Sequence, residues 1–189
     1  MKRGFIFDLD GTLADTMPVH YAAWTKIAAR YGLSFPETRF YELGGVPTRR
    51  ISQMLIADAG LTLDPEMVAR EKEQAFSDSL QEPGIIRPID AVVVIARQRH
   101  AEGPLAIASG GSRRLVQRTL ELIGLADWFA AVVTAEDTVR HKPEPDVFLE
   151  AARRIDVPAT ACTVYEDTDL GLEAARRAGM AAVDIRKLL

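Results

Sequence analysis

From residue 91 to the end of the chain, short apolar runs alternate with amphipathic stretches, whereas residues 16–86 are helical in pattern throughout. The runs at residues 105–108, 130–134, 162–165 and 181–185 read as strands, with an earlier one at residues 5–7. Between the later runs lie helix patterns at residues 90–101, 112–123, 146–155 and 168–178. The second of these places Leu115, Val116, Thr119, Leu120 and Ile123 on one face, and Gly124 stops it. Strands joined through helices predict an α/β fold with a mainly parallel sheet. The block at residues 16–86 breaks the alternation. Three helices are expected there: 18–31, with Pro18 in its first turn and Gly32 at its end; 48–59, closing at Gly60; and 65–80, after an Asp64 N-cap. Such a block reads as an inserted helical domain or lid, with Pro83-Gly84 and Pro88 marking the return. Residues 1–15 and 87–189 would then form the α/β domain.

The first apolar run ends in Asp8-Leu9-Asp10-Gly11-Thr12. Side chains alternate along a strand, so Asp8 and Asp10 are expected on the same side. Two close carboxylates repel unless a cation lies between them or one keeps a proton. The spacing therefore points to a Mg²⁺ site with a nucleophile, or to a nucleophile beside an acid/base. An EF-hand is excluded: counted from Asp8, the glycine falls at position four and Val19 stands where a glutamate is required. Ligands of open parallel sheets gather beyond the carboxyl ends of the strands. Three more such ends carry polar groups: Ser109-Gly110-Gly111, Lys142-Pro143-Glu144-Pro145-Asp146, and Glu166-Asp167-Thr168.

Composition narrows the rest. The chain has 189 residues, 48% of them hydrophobic, enough for one core with a modest insertion. A net charge of −4 gives no general attraction to nucleic acid or membrane. No run is long and apolar enough to span a bilayer, and no signal-peptide pattern opens the chain. Cys162, the one cysteine, lies in an apolar stretch and reads as a buried inert thiol. A cytoplasmic monomer is the expectation.

In their order along the chain, these four segments resemble the four motifs of the haloacid dehalogenase superfamily, and the helical insert resembles the cap of its β-phosphoglucomutase-like branch. Within that branch the chain is most similar to small bacterial sugar phosphatases of the fructose-1-phosphate phosphatase type, through Asp15-Thr16-x-Pro18-x-His20, Trp24, Gly45-x-Pro47-Thr48-x-Arg50, Arg70-Glu71-Lys72 and His141-Lys142-Pro143. The resemblance implies a Rossmann-like, doubly wound core and phosphoryl transfer with Mg²⁺. Asp8 would be the nucleophile and Asp10 the acid/base. Ser109 would bind the phosphoryl group, with Gly110 and Thr12 beside it, and Lys142 would neutralise its charge. Asp8, Asp10, Glu166 and Asp167 would hold the metal. A cis Lys142–Pro143 bond is also implied.

The resemblance further implies a sugar phosphate substrate. His20, Gly45, Thr48, Arg49, Arg50 and Lys72 are the cap candidates for its recognition, although His20, Arg49, Arg50 and Lys72 would each alone read as exposed helix residues. The family's dehalogenases lack the second aspartate and its phosphonatases replace it with a small residue, so Asp10 points to phosphate esters. A mutase needs a basic cap residue near Gly45. Thr48 stands there, with Arg49 and Arg50 just after it; hydrolysis is the expectation, with transfer as the alternative. A phospho-aspartate receiver domain would place its acidic pair before the nucleophile, the reverse of the order here.

Overall fold

In the computed structural model, which describes residues 2–189, five strands form one parallel sheet: β1 (Gly4–Phe7), β2 (Leu105–Ala108), β3 (Ala131–Val133), β4 (Cys162–Glu166) and β5 (Ala181–Asp184). Their order is β3-β2-β1-β4-β5. The chain thus winds outward from β1 on one side, then crosses back to build the other. β1 and β4 meet where the winding reverses, the place at which open α/β sheets hold their ligands.

The side-chain alternation of β1 and β4 decides what faces the site. Ile6 and Val164 enter one apolar layer with Phe148, Ala151 and Ala152 of helix 146–154 and Ala174 and Ala175 of helix 169–177. Phe7 turns to the opposite face, where its ring stacks on Tyr165 with centroids 4.5 Å apart. Residues two places beyond Ile6 and Val164 are Asp8 and Glu166, so both carboxylates lean toward the side that carries those two helices.

By contacts the chain divides into two compact units. One contains the residues up to Asp15 together with Ile86–Leu189; the other is Thr16–Ile85. The first unit holds the sheet and four α-helices: α5 (Asp90–His100), α6 (Arg113–Leu122), α7 (Asp146–Arg154) and α8 (Asp169–Arg177). The expected apolar face of α6 is buried. Cys162 is buried too, and burial pushes its thiol up to about 11.

The second unit contains α1 (Met17–Tyr31), α2 (Glu37–Glu42), α3 (Thr48–Asp58) and α4 (Pro65–Ser79). Helix α4 packs against both α1 and α3. Gly32 ends α1 in the left-handed conformation (φ 66°), and Asp64 caps α4 by accepting the Glu66 N–H at 3.0 Å. Helix α2 is absent from the sequence expectation. Its six residues bury only Phe40, which is too little for a periodic signal. Phe40 packs at 5.3 Å from Tyr21 and 5.9 Å from Phe35, which meets Trp24 edge-on.

Candidate active site

Asp8 follows the last residue of β1 but stays in the ladder, donating its N–H to the Tyr165 carbonyl at 3.0 Å. The chain then closes into a tight loop. The Leu9 carbonyl accepts the N–H groups of Thr12, Leu13 and Ala14, and Gly11 takes a positive φ of 84° that costs a glycine little. A buried carboxylate on so constrained a backbone has little freedom to move.

Lys142 reaches Asp8 from the loop before α7. Its Nζ lies 2.6 Å from Asp8 Oδ1 and 3.2 Å from Glu166 Oε2, and all three side chains are buried. The Lys142–Pro143 peptide bond is cis. Asp167, next in the chain after Glu166, accepts a hydrogen bond from the Thr12 hydroxyl at 2.8 Å. One carboxylate oxygen from each of Asp8, Glu166 and Asp167 lies within 4.8 Å of the others.

Three acids gathered around one ammonium leave a negative excess. Burial, then the charge of Glu166, holds the Asp8 carboxyl well above the usual aspartate range, and Lys142 only partly offsets this. Burial and Glu166 raise Asp167 to about 7 against the pull of the Thr12 hydrogen bond. Burial works against the Lys142 ammonium, but the charges of Asp8 and Glu166 outweigh it and hold the group above the ordinary lysine value. An all-oxygen, over-acidic, close-set donor group suits a hard divalent cation such as Mg²⁺, whose charge would favour the ionised forms of Asp8 and Asp167.

The sequence expectation placed Asp10 in this metal set. Its carboxylate lies outside the three-residue cluster and instead meets the Ser109 hydroxyl at 3.4 Å. Strand alternation holds through Asp8, but the loop that turns at Gly11 carries Asp10 toward the end of β2. Ser109 is buried and also accepts the Gly111 N–H at 3.0 Å, while Gly110 is exposed. Thr12 is fully buried, and its hydroxyl donates to Asp167.

The cap candidates belong to the helical unit. Lys72 and His20 come together, Nζ to Nδ1 at 2.7 Å, and Lys72 is buried rather than exposed. Arg49 pairs with Glu66 at 2.7 Å, and Arg50 donates to Gln53 at 3.2 Å. Thr48 is the first residue of α3, and Gly45 takes a positive φ of 83° just before it.

Thr168 is a site residue that sequence reasoning quoted without giving it a role. Its hydroxyl accepts the Gly171 N–H at 3.1 Å, capping α8, and donates to Glu166 Oε1. A threonine three residues ahead of a helical N–H was the available signal.

The family model described as haloacid dehalogenase-like hydrolase matches residues 5–185. The chain belongs to the haloacid dehalogenase-like hydrolases. Among curated relatives, the fructose-1-phosphate phosphatase YqaB of Escherichia coli K12 is 41% identical over 185 residues, covering 98% of this chain and 97% of that one. The β-phosphoglucomutase of Bacillus subtilis is 26% identical, covering 97% and 83%. Of solved structures, CbbY from Rhodobacter sphaeroides in complex with phosphate superposes with a TM-score of 0.81 at 25% identity, covering 96% of this chain and 85% of that one. A hydrolase from Pseudomonas syringae gives 0.83 at 25% identity, covering 96% and 83%. The doubly wound core is the fold of this family, and the chain is an enzyme of the phosphoric monoester hydrolase class.

Proposed function

We propose that this enzyme is a Mg²⁺-dependent phosphatase of small sugar phosphates that works through an aspartyl-phosphate on Asp8. The observation that carries the reading is the buried Lys142–Asp8 contact at 2.6 Å, set beside Glu166 and Asp167 at the reversal point of the sheet. The relative named as a fructose-1-phosphate phosphatase, matched over nearly the whole of both chains, supports the substrate class.

Asp8 attacks phosphorus, and the sugar alkoxide leaves with a proton from Asp10. Asp10 then removes a proton from the water that cleaves the acyl phosphate. Lys142 and Ser109 bind the transferring oxygens and offset their charge. Asp8, Glu166 and Asp167 would hold Mg²⁺, which supplies the charge neutralisation a dianionic ester needs among carboxylates. His20, Arg49, Arg50 and Lys72 of the helical unit are the candidates for recognising the sugar.

The test is phosphate release from fructose 1-phosphate, 6-phosphogluconate, β-glucose 1-phosphate and p-nitrophenyl phosphate, with Mg²⁺ and after exhaustive EDTA treatment. Release that requires Mg²⁺ and favours a sugar phosphate is expected. Full activity in EDTA would remove the metal from this reading. Conversion of β-glucose 1-phosphate to glucose 6-phosphate with little free phosphate, given a trace of the 1,6-bisphosphate, would replace hydrolysis by transfer.

A further inference from the structure

Glu166 is the most enclosed acid of the site, 1% exposed, and it is held at both oxygens. Oε2 receives Lys142 at 3.2 Å. Oε1 receives the Thr168 hydroxyl and, at 3.3 Å, the Thr168 N–H. The carboxylate is thereby folded down over the first turn of α8, and the residue beneath it is Gly171, which is itself buried. A Cβ placed on Gly171 would fall inside the van der Waals envelopes of Glu166 Oε1, Cδ and Cγ at once. The positive-φ glycines of the chain do not include Gly171, so its backbone would admit any residue. The glycine is required by volume and not by conformation. In a helix, alanine is ordinarily the better former. Here local helix propensity and the space beside an acid make opposite demands.

We infer that Gly171 is a positioning residue: its missing side chain creates the space in which the Glu166 carboxylate is held against Lys142 and within reach of a metal shared with Asp8 and Asp167. What yields to a side chain at 171 is the Glu166 side chain, because the three nearest atoms outside the helix's own backbone all belong to it. Substitution should therefore damage the metal site before it damages the fold. Glu166→Asp should relieve the overlap, since its carboxylate stands one methylene nearer its own backbone. The inference rests on the proposed Mg²⁺ phosphatase reading, and the test separates the two.

The experiment compares wild type, Gly171→Ala, Gly171→Ala with Glu166→Asp, and Gly171→Ala with Glu166→Ala. Each is measured for denaturant unfolding without metal, for the rise in melting temperature with added Mg²⁺, and for the Mg²⁺ dependence of phosphate release. The expected result is a folded Gly171→Ala protein whose apparent Mg²⁺ affinity is at least tenfold weaker and whose Mg²⁺-induced thermal shift is largely lost. The Glu166→Asp partner should recover part of both. In the Glu166→Ala background, Gly171→Ala should be neutral or stabilising. If Gly171→Ala does not fold but the Glu166→Ala double variant does, the overlap with Glu166 is confirmed by the rescue. Wild-type Mg²⁺ affinity in Gly171→Ala, or equal loss of folding with and without the Glu166 side chain, overturns the inference. A wild-type enzyme indifferent to Mg²⁺ would instead overturn the phosphatase reading.

Discussion

Two buried lysines, one in each unit, are held in opposite ways. Lys142 of the α/β unit sits against carboxylates, 2.6 Å from Asp8 and 3.2 Å from Glu166. Lys72 of the helical unit sits among rings. Its ammonium lies 5.3 Å from the centroid of Phe76 and 5.8 Å from that of Trp24, with the His20 imidazole at 2.7 Å. His20 in turn stacks on Phe76 with centroids 3.8 Å apart. A lysine paired with acids has its charge cancelled at short range and is committed to them. A lysine over aromatic faces is attracted by the ring quadrupoles. The first arrangement suits the reacting centre proposed here, and the second the recognition role proposed for Lys72.

That contrast can be broken most directly at the nucleophile. Asp8→Asn should lower turnover by more than about a thousandfold on every substrate, since an amide cannot attack phosphorus. The metal-free protein should keep or raise its melting temperature, because a crowded buried acid is removed. The pH direction follows from the raised Asp8 carboxyl. Its ionisation weakens the metal-free fold as pH rises from the unfolded aspartate value toward the higher folded one, and Asp8→Asn should flatten that part of the stability profile. Wild-type turnover in purified Asp8→Asn would end the role given to Asp8.

The lysines themselves come next. Lys142→Ala should cost about a hundredfold or more in kcat/KM for a sugar phosphate and for p-nitrophenyl phosphate alike, since it acts on the transferring group common to both. Lys72→Ala should cost about tenfold on the sugar phosphate and far less on the small ester, which has no sugar to recognise. Equal losses on both substrates for Lys72→Ala would erase the distinction between the two sites.

The smallest effect is expected where charge is only structural. Asp137, beyond β3, accepts hydrogen bonds from Arg113, Arg154 and Thr134. Partial burial raises its carboxyl, but Arg154 and the Thr134 contacts outweigh burial and hold it well below the usual range. A depressed folded value gives stability that is present above the unfolded carboxylate pKa of about 4 and is lost as pH falls below it. Asp137→Asn should therefore destabilise by about 1–3 kcal/mol at neutral pH, with the difference from wild type shrinking in acid and turnover unchanged. Urea unfolding at pH 7 and pH 3 measures this.

Much of the molecule is legible in the chain because its signals are local. The apolar runs ending in Asp8, Ser109 and Glu166 name their own strands, and Gly32 and Asp64 mark helix ends through backbone geometry that needs no tertiary partner. The direction of Asp10 was less accessible, since it depends on how the Leu9 carbonyl gathers three N–H groups in the following loop. Helix α2 was invisible because a six-residue element with one buried side chain has no period to detect.

By itself the sequence determined which residue types would be present and at which strand ends, because strand period and helix caps are set within a few residues. Only the tertiary structure decided which of them meet. Lys142 finds Asp8 across 134 positions and Lys72 finds His20 across 52, so each pairing required the sheet or the helix packing to exist first. The space under Glu166 belongs to the same class. It is a relation between a strand end and the first turn of the next helix, and a glycine at 171 records it only once the carboxylate above it is in view.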